Sequence, residues 1–336
     1  MNRIKSVVKK LPGVRFVFTK LRNLVQENAK LKTLSDYCRQ DEISRLEAEV
    51  KQYKTGVPPG HFYSPFPNLE HVRKNEARIF KSMPLKIPGV NLNTEKQLEL
   101  FEKFSEYYAD MPFGPQKKES LRYWFENEAY QYSDAICLYS MIRHLKPRRI
   151  IEVGSGYSSC VILDTNEMFF DNKIACTFIE PYPDLLHSLM KPGDKGRVRV
   201  MPKNIQDVEL SVFEELSAGD ILFIDSTHVV KVDSDVNYIF FEILPRLAAG
   251  VHIHFHDVIY PFEYWADIIY KGISWNEAYF VRAFLQYNNS FEIAFFNTYL
   301  EKLHPEKFEE KMPLCMKHIG GSIWLKKLQD KDGQTT

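Results

Sequence analysis

The sequence predicts an α/β fold: a doubly wound, mostly parallel sheet with helices on both faces. Three observations predict it. Short apolar runs recur at 150–153, 174–179, 221–224 and 251–255, and they are nearly continuous, as strands covered on both faces must be. Between them lie stretches with apolar residues at i, i+3, i+4 and i+7, the period of a helix with one buried face. After the first strand, Gly154-Ser155-Gly156 turns the chain straight into a helical run from Ser158.

The elements follow in order. Residues 1–55 read as a basic helical extension. From Arg3 to Lys32 there are nine Lys/Arg and one acid, Glu27, with Val7, Val8, Leu11, Val14, Val17 and Phe18 interleaved. Leu21, Leu24, Asn28 and Leu31 fall at heptad a and d spacing, as do Ile43, Leu46, Val50 and Tyr53, but the two registers are offset by one residue. A parallel coiled-coil homo-oligomer, with Asn28 at an a position, is one expectation. A solvated helix against its own domain is the other. The basic run also suits peripheral contact with an anionic membrane surface.

Gly56-Val-Pro-Pro-Gly60 ends that helix. Residues 56–130 read as an aromatic-rich cap. Gly60-His-Phe-Tyr-Ser-Pro-Phe-Pro67 has too much proline for a regular element and too many rings for a solvated linker. His61, Tyr63 and Ser64 are therefore expected at the mouth of a site, beside cofactor or acceptor. A helix over 95–109 carries Leu98, Phe101 and Phe104 on one face.

Residues 131–328 carry the sheet. Ala135, Leu138, Tyr139, Ile142 and Leu145 predict a helix over 134–146 that stops before Pro147. Strand 150–153 leads to a helix near 158–170, a strand at 174–179, a short strand at 197–201 and a helix from about 207. Strand 221–224 leads to a helix over 234–247 with Ser234 as N-cap. Strand 251–255, a helix over 276–287, and late strands at 291–296 and 322–325 complete the pattern.

Composition narrows the class. The 336 residues carry no formal net charge, so no global field points to nucleic acid. The five cysteines are scattered and odd in number, as expected of reduced thiols in a cytoplasmic protein. No apolar run reaches the ~18 residues of a membrane span.

The chemistry is expected at the carboxyl ends of the strands. Glycines at 154 and 156 let a ligand approach the backbone, and Ser155 and Ser159 beside them are candidate cofactor contacts. A dinucleotide fingerprint would place glycine where Ser159 stands, and Glu152 would repel a pyrophosphate. An acid there suits the cation of S-adenosylmethionine, and Glu152-Val-Gly154-Ser155-Gly156 resembles motif I of the class I methyltransferases. A strand–turn–helix that uses glycine for geometry alone is the alternative. Glu180, after the second strand, is placed to accept from two ribose hydroxyls. Asn204-Ile-Gln-Asp207 lies where an adenine edge would sit. The fourth strand delivers Asp225-Ser-Thr-His228 and the fifth His256-Asp257. Asp225 and Asp257, with His256, form an oxygen-rich set suited to Mg²⁺ or Mn²⁺. His228 is a candidate general base. Structural hydrogen bonding is the plain alternative for each. His252, His254 and His256 alternate along one strand face, but the outer two stand about 13 Å apart at ~3.3 Å per residue, too far to share an ion.

Over roughly 56–326 the chain resembles the Methyltransferase-24 type of class I methyltransferases. The resemblance rests on Gly60-His-Phe-Tyr-Ser-Pro, Ile150-Ile-Glu-Val-Gly-Ser-Gly-Tyr-Ser-Ser, Phe223-Ile-Asp-Ser-Thr-His, His254-Phe-His-Asp-Val and Gly320-Gly-Ser-Ile-Trp-Leu. It implies a Rossmann-like seven-stranded methyltransferase sheet, S-adenosylmethionine as cofactor and O-methylation of a glycan or other small-molecule acceptor. The chain is also similar to the macrolide-sugar O-methyltransferases. That likeness implies metal ligands and a base at Asp225, His228 and Asp257, although His256 stands where that group has a carboxylate. A metal-dependent hydroxylase or hydrolase and a non-catalytic scaffold subunit are the competing readings.

Overall fold

Ile221, Leu222, Phe223 and Ile224 are all fully buried, because this strand lies in the middle of a sheet covered on both faces. The computed structural model describes residues 12–52 and 56–328. The chain divides into two units, residues 1–68 and residues 69–336.

In the second unit seven strands form one sheet. They are β1 Arg149–Val153, β2 Ala175–Ile179, β3 Arg199–Met201, β4 Ile221–Ile224, β5 His252–His256, β6 Phe291–Phe296 and β7 Ser322–Lys327. Their order is β3-β2-β1-β4-β5-β7-β6. β1 to β5 pair in parallel, and β7 runs antiparallel to both β5 and β6. The order reverses at β1, whose neighbours are β2 and β4. That reversal opens a crevice at the carboxyl ends of the strands.

The first unit contains helix α1, Pro12–Gln52. Its Val17, Leu21, Leu24, Leu31, Ile43 and Leu46 are exposed. Val7, Val8, Leu11 and Tyr53 of the expected heptad and basic patterns lie outside the described residues, as do the side chains of Val14, Phe18 and Val50. Among the described residues no helix is long and apolar enough to cross a membrane.

In the second unit, α2 is Thr94–Tyr108, α3 Tyr132–Leu145, α4 Tyr157–Phe170, α5 Glu277–Leu285 and α6 Asn297–Leu303. Phe101 and Phe104 of α2 pack on Phe308 and Phe295, with ring centroids 4.6 and 4.8 Å apart. Tyr123 and Phe125 join the same core. The segment between α2 and α3 is thus fixed to the sheet's own core. A buried ion cluster fastens it further: Arg122 donates to Asp164 at 2.7 Å, to Glu167 at 2.8 Å and to Asp194.

The expected helix over 234–247 is broken into parts. Ser234 Oγ accepts from Asn237 N at 3.2 Å and caps a turn Asp235–Tyr238. A π-helical stretch Ile239–Ile243 and a short turn Leu244–Arg246 follow. Pro245 has no N–H to continue the α ladder. Lys327 Nζ donates to the carbonyls of Leu244 and Pro245, at 3.1 and 2.7 Å.

Candidate active site

The β1 turn and the β4 end are pressed together. Asp225 N donates to Val153 O at 2.9 Å, and Gly154 N to Ile179 O at 3.0 Å. Gly154 has φ +78°, and a β-carbon there would stand 1.7 Å from the Asp225 carbonyl oxygen. Only glycine fits.

Two adjoining cavities open at this point. One, about 350 Å³, is lined by Gly154, Glu180, Asn204, Ile205, Gln206 and Asp225, among others. The other, about 210 Å³, shares Gly154, Glu180 and Asp225 and adds Tyr130, Ser155 and Gly156. Glu180 is the fixed acid of the pair. Its carboxylate accepts from Ser155 N at 3.1 Å and Tyr182 N at 2.9 Å, and it lines both cavities.

Three expected cofactor contacts stand elsewhere. Glu152 is fully buried and does not line either cavity. It accepts from Ser158 Oγ at 2.6 Å and from Ser159 Oγ, and burial pushes its pKa up to about 8. It ties the start of α4 to β1 instead of meeting a ligand cation. Ser159 also receives Gly156 N at 3.1 Å, so it too shapes the turn. Asp207 is exposed, accepts from Asn204 Nδ2 at 3.3 Å and does not line the cavity. Its neighbours Asn204, Ile205 and Gln206 form that wall.

The β4 and β5 ends meet at an imidazole. His228 Nε2 lies 3.4 Å from Asp225 and 3.5 Å from Asp257. His228 and Asp257 both have left-handed backbones, φ +59° and +52°. Such strain in non-glycine residues gathers at functional sites. Burial by itself would lower the His228 pKa, but hydrogen bonds to Asp225 and Glu277 and the Asp257 charge outweigh it and hold it well above the usual histidine value. Burial raises Asp257. Asp225 is lowered: the raising effect of burial is outweighed by His256 and His228.

The expected metal set does not form. His228 Nε2 stands between the two aspartates, and His256 Nε2 is 3.9 Å from Asp257. Among the described residues no group of three His, Cys, Asp or Glu side chains is arranged to hold an ion. The carboxylates meet an imidazole where a cation would go. His254 is a core residue stacked on Phe223, with centroids 3.8 Å apart, and burial lowers its pKa well below the usual value. Burial pushes His252 down to about 4.

One site residue escaped the sequence reading. Glu277, 1% exposed, places Oε2 2.9 Å from His228 Nδ1. Its only sequence signal is an acid in the first turn of a mostly apolar helix. The closing Gly320-Gly321 is also explained. A β-carbon on Gly320 would meet Asn297 and Asp134, and one on Gly321 would touch Asp257 and Trp265.

In the first unit, His61 Nδ1 accepts from Tyr63 N at 3.1 Å and Ser64 Oγ from Phe66 N at 3.2 Å. The His61 and Phe62 rings stack at 4.2 Å.

Residues 151–258 match the model of a family described as a methyltransferase domain. An uncharacterised protein of Archaeoglobus fulgidus is 37% identical over 184 residues, 53% of this chain and 82% of that relative. Among solved structures, the S-adenosylhomocysteine-bound methyltransferase PaMTH1 of Podospora anserina is 15% identical with a TM-score of 0.39. The match covers 82% of this chain and 100% of that one. The O-methyltransferase TomG of Streptomyces achromogenes, involved in tomaymycin synthesis and complexed with S-adenosylmethionine, is 13% identical with a TM-score of 0.39. That match covers 76% of this chain and 95% of TomG.

Proposed function

The chain belongs to the class I methyltransferases of the Methyltransferase-24 type, and from that premise we propose that it transfers a methyl group from S-adenosylmethionine to a hydroxyl of a sugar or similar small-molecule acceptor. The observation that carries the reading is Glu180. Its two oxygens are pinned by backbone N–H groups on the floor of a crevice, leaving lone pairs free for a ribose diol.

The residues fit the cofactor. Glu180 would hold the ribose, the Asn204–Gln206 wall the adenine, and the Gly154-Ser155-Gly156 backbone the amino-acid end. S-adenosylmethionine, when bound, supplies a methyl group on an electrophilic sulfonium. His228 Nε2 would take the proton of the acceptor hydroxyl as its oxygen gains the methyl group and the sulfonium's S–C bond breaks, leaving a neutral thioether. Asp225 and Asp257 flank that nitrogen and stabilise the imidazolium it becomes. Trp275 lies 4.8 Å from the His228 ring, and Trp265 and Asp257 both border Gly321. An aromatic ring beside a fixed imidazole and carboxylates is a combination that suits a pyranose, which has C–H faces and hydroxyl edges.

Calorimetry with S-adenosylmethionine and NAD, followed by mass spectrometry on a panel of sugars and glycosides, tests the proposal. Binding of the first ligand alone, and a methyl gain on a hydroxyl acceptor, are expected. Binding of NAD without S-adenosylmethionine overturns it.

A further inference from the structure

His228 is held from behind as well as flanked in front. Glu277 Oε2 is 2.9 Å from His228 Nδ1, and the glutamate is buried. Glu277 lies in the first turn of α5, where the helix dipole favours an acid. The same helix start grips the histidine backbone: Asn276 N and Glu277 N donate to His228 O at 3.0 and 3.2 Å. Asn276 Oδ1 accepts from Val230 N at 2.6 Å. These bonds maintain the strained φ of +59° at His228. Trp275 packs 4.8 Å from its ring and limits its rotation. Asp225 and Asp257 are both on the Nε2 side.

We propose that Glu277 is the positioning residue of the site: it keeps a proton on His228 Nδ1, so that Nε2, on the side of Asp225 and Asp257, is the nitrogen left to take a proton. Glu277 makes the shorter contact, 2.9 Å at Nδ1 against 3.4 and 3.5 Å at Nε2, so the single proton of a neutral ring belongs on Nδ1. A neutral imidazole then has its one lone pair on Nε2, as a base needs. With the opposite tautomer, Nε2 would carry hydrogen and could not take a proton. The acceptor's proton moves from oxygen to Nε2, and His228 becomes an imidazolium with both N–H groups facing carboxylates. This inference rests on the methyl-transfer reading for its purpose, but the tautomer is a property of the protein alone.

The test is nitrogen-15 NMR of the imidazole groups in the full chain, recorded on the alkaline side of the ring's titration. His228→Gln assigns the signal. Wild type should show the Nδ1–H tautomer at His228. Glu277→Gln, whose amide oxygen still accepts, should keep it. Glu277→Leu should shift the population towards Nε2–H and lower turnover by roughly 10²–10⁴-fold, with KM for S-adenosylmethionine little changed. A wild-type His228 with its neutral proton on Nε2 overturns the proposal, even if Glu277→Leu does not fold. So does an unchanged tautomer in Glu277→Leu. The expected tautomer in a protein that does not bind S-adenosylmethionine would leave the positioning role standing and remove the methyl-transfer reading.

Discussion

The α-carbon of Gly154 lies so close to Asp225 that any side chain at 154 would enter the Asp225 carbonyl, 1.7 Å away. The turn after β1 and the end of β4 are therefore one object. Gly154→Ala should cost on the order of 1–3 kcal/mol from its positive φ alone, and more from the clash. It should also weaken S-adenosylmethionine binding. Urea unfolding and calorimetry read the two effects. Wild-type values in both would mean the turn relaxes freely.

Glu152 makes stability pH-dependent. Its carboxyl titrates near 4.5 when unfolded and is pushed up to about 8 by burial in the fold. The folded state thus keeps a proton that the unfolded chain gives up. That stability is fully present below about 4.5 and is lost as pH rises towards 8. Glu301, also pushed up to about 8, acts the same way in wild type and in a Glu152 variant. Thermal melting of wild type should fall between pH 5 and 8 relative to Glu152→Gln, which cannot ionise. Parallel melting curves at both pH values would remove Glu152 from the account.

His228→Ala should reduce turnover by roughly 10²–10⁴-fold with little change in cofactor affinity. The carboxylates around His228 raise its pKa, so the neutral ring that can act as a base forms at higher pH than for an ordinary histidine. Turnover should therefore climb as pH rises above neutrality. A rate that is flat with pH, or full activity in the alanine variant, would move the base elsewhere.

EDTA should leave turnover unchanged, because the imidazole stands between Asp225 and Asp257. Loss of activity that Mg²⁺ or Mn²⁺ restores would show that an ion displaces it. Asp225→Asn and Asp257→Asn should each slow turnover through a less stabilised imidazolium.

The exposed leucines of α1 suit self-association. Deleting residues 1–55 should lower the mass seen by light scattering while S-adenosylmethionine affinity stays intact. An unchanged mass would assign those side chains another role.

The sequence alone determined the sheet, its alternation with helices, the glycine turn and the acids at the strand ends. Each is a local signal: a continuous apolar run, a helical period, a residue that must be glycine. Glu180, Asp225, His228 and Asp257 could be named because a strand end is a place that a linear pattern locates. The tertiary structure decided which way the side chains face. It turned Glu152 inwards to two serines, put Asn204–Gln206 in the cavity wall in place of Asp207, and set an imidazole where a metal was expected. It also brought Glu277, 49 residues downstream, to His228. No local signal reports such a contact, because the packing of α5 against the β4 loop is fixed by the fold as a whole.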